Sequence, residues 1–117
     1  MRLWRLRRMY NELVKDLKAL HSVAFTEHEW ETRPTGNHGT VQLDFAADQD
    51  SGDDAHMDTA YQGSVDLYTH GQGWDVASMV EHVLEMHCGA SWHLNLKTYE
   101  NATRLMHREY VFEIEVL

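Results

Sequence analysis

The segment Trp74–Gly89 (WDVASMVEHVLEMHCG) places Val76, Met79, Val80, Val83 and Leu84 at i, i+3, i+4, i+7 and i+8, one apolar stripe of an α-helix. Gly89 stands where a left-handed C-cap is wanted, so the helix is predicted from about Trp74 to Cys88. On both sides the period changes to two. Upstream, Tyr61, Gly63, Val65 and Leu67 alternate with Gln62, Ser64, Asp66 and Tyr68, until His70-Gly71-Gln72-Gly73 ends the run. Downstream, Trp92, Leu94, Leu96 and Thr98 form one alternating segment and Tyr110, Phe112, Ile114 and Val116 another, with a turn near Asn101. A helix with one apolar stripe, set between half-buried strands, covers one face of a sheet.

Further out, Leu3, Leu6, Tyr10, Leu13, Leu17 and Leu20 recur at alternating spacings of three and four with charges between them, the mark of a second amphipathic helix. At 1.5 Å per residue it spans roughly 30 Å, so its first two turns, residues 1–8, are expected to extend beyond the body as a basic arm. Val23 to Trp30 and Thr40 to Phe45 read as extended segments, with Pro34, Gly36 and Gly39 marking the loop between them. Asp48 to Asp58 (DQDSGDDAHMD) has five aspartates and almost nothing to bury, and residues 46–58 are expected to be a mobile, solvated loop. The order α-β-β-β-α-β-β with short connections predicts a single α+β domain over residues 1–117. Its sheet, mixed or antiparallel, is expected to have about four to five strands and to be covered by two helices.

With 117 residues, 43% of them hydrophobic, the chain has the size of one domain with a modest core. Its net charge of −9 excludes a wholly basic nucleic-acid-binding surface. The charge is unevenly spread: residues 1–20 carry six basic side chains against two acidic ones, a net +4, which leaves −13 for residues 21–117. A basic arm before an acidic body suggests two different partners. No apolar run exceeds three residues, so neither a membrane span nor a signal-peptide core is expected, and a lone Cys88 fits a reducing compartment.

Nine histidines invite a metal proposal, but their spacing argues against it. His82 and His87 are five apart and point about 140° from one another on a helix, and only His87, Cys88 and a folded-over His93 are able to converge. Asp48-x-Asp50-x-Gly52 lacks the third acidic ligand of a calcium loop and has Thr59 where a bidentate glutamate belongs. There is no Gly-x-Ser-x-Gly elbow, Cys88 lies near a helix C-terminus that disfavours a thiolate, and Gly71-x-Gly73 is a lone turn. The expectation is a protein that is not an enzyme and uses no metal or cofactor. Trp74 and Trp92 are read as packing residues, and Trp4 and Trp30 remain as interface anchors or core.

The C-terminal half carries an ordered set of motifs. Gly63-Ser64-Val65-Asp66-Leu67-Tyr68-Thr69 is followed by the amphipathic helix and then by Ser91-Trp92-His93-Leu94-Asn95. Tyr99-Glu100-x-x-Thr103-x-Leu105-x-His107-x-Glu109-Tyr110-x-Phe112-Glu113 completes it. Over about residues 57–115, and more loosely over Met9 to Leu20, this order resembles small tail proteins of long-tailed bacteriophages and prophages, of the tail terminator or tail completion type. The resemblance implies a structural virion protein, made in the host cytoplasm, that forms a ring, commonly a hexamer, at the head-proximal end of the tail tube. There it stops polymerisation of the tube protein and meets the head-tail connector or head completion protein. It also marks Gly63, Val65, Asp66, Leu67, Tyr99, Glu100, His107 and Glu109 as positions that shape the subunit and its interfaces. The arginine-rich start and the length of the acidic loop depart from the family pattern.

Charge leads to the same place. A body of −13 repeated around a ring surrounds a channel with negative charge, so that DNA in transit is repelled and slides. Asp48, Asp50, Asp53 and Asp54 are expected to face the channel or the next ring, and Arg2, Arg5, Arg7 and Arg8 to contact an acidic patch of a neighbour. The alternative is a small binding or regulatory module whose basic amphipathic helix docks on nucleic acid, a membrane or a partner protein.

Overall fold

A computed structural model describes residues 2–46 and 60–115. Asp48, Asp50, Asp53 and Asp54 of the acidic loop lie outside the described residues. Helix α1 (Arg2–Lys18) is followed by strands β1 (Ala24–Glu27), β2 (His38–Ala46) and β3 (Ala60–Thr69), helix α2 (Trp74–Cys88), and strands β4 (Trp92–Glu100) and β5 (Leu105–Glu115). This is the expected α+β order, and α2 has the expected bounds. The five strands form one mixed sheet in the order β1-β2-β3-β5-β4.

Both helices lie on one side of the sheet because every apolar stripe points there. Leu6, Tyr10, Leu13 and Leu17 of α1 and Val76, Val80, Val83 and Leu84 of α2 join Val41, Val65, Leu67, Tyr110, Phe112 and Ile114 of the strands in one core. Leu6 has no exposed surface, so the arm is anchored from its second turn while Arg5, Arg7 and Arg8 stay exposed. Polar ties join the helices to each other and to the sheet: His87 Nε2 to Asp16 Oδ2 at 2.7 Å, Tyr10 Oη donating to Glu27 at 3.2 Å, and Tyr110 Oη donating to Glu81 at 2.6 Å.

Two strand glycines have a steric purpose. Gly39 pairs in register with Phe25, and Gly63 with Phe112, and in each case the phenyl ring lies over the glycine. A Cβ at Gly63 would also come within 2.5 Å of the Gln42 carbonyl oxygen. Gly39, expected to mark a loop, is therefore a strand residue. The connection it was expected to end is not of hairpin type either: β1 runs parallel to β2, and residues 28–37 climb back across the sheet's other face. His28, at φ 67°, makes the bend.

Candidate functional site

The face opposite the helices is where the polar halves of the alternating strands come together. His38, Tyr68 and His107 are register partners on β2, β3 and β5. Their rings stack across the sheet with centroids 5.0 and 4.4 Å apart and planes within 15° of parallel. The 28–37 loop closes one end of this row. Trp30 donates its indole N–H to the Gly39 carbonyl at 3.2 Å and meets His38 edge-on. Arg33 lays its guanidinium 4.2 Å from the Tyr68 ring centroid, donates Nε–H to His38 Nε2 at 2.9 Å, and reaches Glu100 at 3.1 Å. His70 and Asn37 fasten the loop to the end of β3.

These contacts assign the proton on His38. Its Nδ1 faces the Gly36 carbonyl at 2.7 Å, which requires Nδ1–H, and its Nε2 accepts from Arg33, which requires a lone pair. The ring is fully buried and neutral, and burial followed by the nearby Arg33 charge pulls its pKa below the ordinary value despite the opposing Gly36 carbonyl. Burial, then the carboxylates of Asp66 and Glu100, push the Tyr68 phenol up. Partial burial works against ionisation of Glu100, but hydrogen bonds from Thr103 and Arg33 outweigh it and its carboxyl titrates below the usual range.

Asp66 and Glu109 stand directly opposite each other, an arrangement of like charges that disfavours pairing. Each is offset by a donor: His107 Nε2 lies 2.7 Å from Asp66 Oδ1, and Asn95 donates to Glu109 at 2.8 Å from a bulge in β4. Asp66 and His107 have the geometry of a base and its orienting carboxylate. No hydroxyl or thiol hydrogen-bonds to the imidazole among the described residues.

The sequence-selected positions therefore divide. Asp66, Glu100, His107 and Glu109 share the open face, with Glu100 brought in by Arg33 and also accepting from Thr103 across the turn at 2.8 Å. Val65 and Leu67 are fully buried in the core, and Gly63 seats Phe112. Tyr99 is half exposed on β4, away from the stacked row. The sequence reading did not single out Arg33 and His38. Tyr68 was legible from the alternation that placed it beside Asp66. Cys88 is partly buried, and burial lifts its thiol to about 12, so desolvation disfavours the thiolate expected to be disfavoured by the helix end.

The sheet has unlike edges. β1 is four residues long and α1 contacts it; β4 is nine residues long, and every residue from His93 to Tyr99 is exposed. Leu94, Leu96 and Tyr99 are 42, 44 and 50% exposed, so among the described residues this edge is apolar as well as unpaired. A second apolar surface lies between the start of α1 and the end of α2. There Trp4 (64% exposed) and Met86 (58%) line a groove with Arg5 and Arg8. No protein-family model matches the chain, and no curated protein matches it.

Proposed function

We propose that this chain is a structural subunit of a phage tail. It assembles into a ring, with six copies the expected number, at the head-proximal end of the tail tube, where it stops tube growth and receives the head connector. The observation that carries this reading is the β4 edge. A nine-residue strand whose outward N–H and C=O groups have no ladder partner among the described residues, and which carries three exposed large apolar side chains, is a template for a neighbouring chain, which solitary domains blunt with charge, proline or a covering loop. Lys97 is the only charge between Trp92 and Tyr99.

The occupant of that edge is a second copy. A closed ring needs two different patches on each subunit, one meeting the other on the neighbour. The β4 edge and the Trp4–Met86 groove supply two such patches, each with exposed apolar side chains. The alternative of a helix docking on a membrane has less to work with, because the apolar stripe of α1 is spent in the core.

Light scattering of the purified protein, alone and with assembled tail tubes, tests the reading, with negative-stain images to locate bound protein. A ring, or density stacked at one tube end, is the expected result. Leu94→Glu/Leu96→Glu should remove it while leaving the fold intact. A chain that stays monomeric and never binds tubes overturns the proposal.

A further inference from the structure

On its helix side, strand β5 carries a guanidinium where its neighbours carry hydrocarbon or aromatic rings. Arg108 is 1% exposed and sits in register between Leu67 and Lys97. Neither of its terminal nitrogens has a hydrogen-bond partner among the described residues. A buried cation without an acceptor is strongly disfavoured, and such groups are found paired. On the same face, one diagonal step away across β3 and β5, is a second orphan: Thr69, paired with Met106, is fully buried, and its hydroxyl has no partner among the described residues.

Both orphans adjoin the start of α2. The Thr69 side chain packs against Gly73, which precedes the helix and provides no side-chain cap. Ala77 is the first residue of the helix whose N–H reaches back, to the Gly73 carbonyl, so the first-turn amides have no intrahelical acceptor, and none outside the helix among the described residues. Trp74, the first helical residue, holds its indole over both cations, with Arg108 Cζ 5.1 Å and Lys97 Nζ 4.0 Å from the ring centroid. The indole is 62% exposed, so little packing holds it in place. No carboxylate forms an ion pair with either cation among the described residues.

A guanidinium fork, a hydroxyl, a helix N-terminus and a nearby ammonium make a set of donors for an anion, set against the exposed carboxylate of Asp75 in the same helical turn. We propose that this is an oxyanion seat. A carboxylate or phosphate is held by the two terminal nitrogens of Arg108 with help from Thr69, and Trp74 is a roof that turns aside to admit it. The seat does not depend on the tail reading.

Trp74 is itself the reporter. Inorganic phosphate and a blocked aspartate are titrated separately into the full chain, against sodium chloride at matched ionic strength. Tryptophan emission and the thermal midpoint are followed, and Trp74→Phe assigns the emission signal. The expected result is a saturable change with at least one of the two and none with chloride. A response to phosphate alone identifies a free or esterified phosphate as the ligand class, and a response to aspartate alone an acidic side chain of a partner. Arg108→Met should abolish the response yet fold, since it removes an unpaired buried charge. Thr69→Val should weaken binding about tenfold, the size of one lost hydrogen bond. If Arg108→Met does not fold, Arg108→Lys, which keeps the charge but not the fork, must still weaken binding. Silence with both oxyanions, or an equal response from the Arg108 variants, overturns the seat.

Discussion

The two faces of the sheet solve the same problem with different chemistry. Under the helices, cross-strand neighbours are Val41, Val65 and Tyr110, each without exposed surface, and apolar side chains make up the bulk of the α1 and α2 packing, with the Tyr10, Tyr110 and His87 ties at its margins. On the open face the neighbours are His38, Tyr68 and His107, held by stacking and by one arginine that arrives from a loop. The first arrangement responds to volume and the second to protonation. Buried polar atoms without a hydrogen-bond partner among the described residues intrude on the helix side at Arg108 and Thr69.

The largest break in the comparison comes from the helix side. Leu84→Ala removes a fully buried side chain between α2 and the sheet and should cost about 2–5 kcal/mol in urea unfolding, with the same cost at pH 6 and pH 8. A loss under about 1 kcal/mol would mean that α2 is only loosely seated. Gly63→Ala is the complementary test, adding volume instead of removing it. Its new methyl meets the Gln42 carbonyl oxygen at 2.5 Å and the Phe112 ring, and backbone is slow to yield, so about 1–3 kcal/mol should be lost.

Arg33→Met moves the test to the open face. The variant loses the stacking on Tyr68, the hydrogen bond to His38 and the ion pair with Glu100. The Arg33 side chain is 40% exposed, so solvent screens the ion pair, and the total should be about 1–2 kcal/mol. Its mark is selectivity: amide exchange should rise in residues 28–37 and stay unchanged along α2. Equal deprotection of both would show that the faces are not separable.

The helix side was readable in advance because periodicity reports burial. The stripe on Trp74–Cys88 and the alternation through Tyr61 to Leu67 fixed what faces the core. Periodicity fails where a polar group is buried: β5 starts at Leu105, ahead of the apolar alternation from Tyr110, and Arg108 interrupts the pattern with a charge. It also says nothing about strand direction, so a four-residue β1 gave no sign of pairing parallel with β2. Asp66, Glu100, His107 and Glu109 are marked by the resemblance of the motif order, whereas Arg33 is not. An arginine in an irregular loop that reaches a glutamate 67 residues later leaves no local trace.

The finest test is a pH titration of the open face. His38 is neutral in the fold and its pKa lies below the ordinary 6.5, chiefly through burial, so the unfolded chain takes up its proton first as pH falls. Stability from this group is therefore complete above about pH 6.5, declines as pH drops through that value, and is lost once the folded ring itself protonates. Protonation puts an N–H on Nε2, facing the Nε–H of Arg33, so the clasp loses its acceptor. Glu100 acts in a separate window: its carboxyl is held below the ordinary 4.5, so its contribution is present above that pH and disappears further into acid. Urea midpoints measured from pH 7.5 to 5.5 should fall in the parent chain. They should fall less in Arg33→Met, where the His38 pKa moves back up toward its ordinary value and the clasp is already open. His107 and His70 on the same face are shared by both chains, so the difference between the two curves isolates the His38–Arg33 contact. Parallel curves would show that the open face is held by stacking alone.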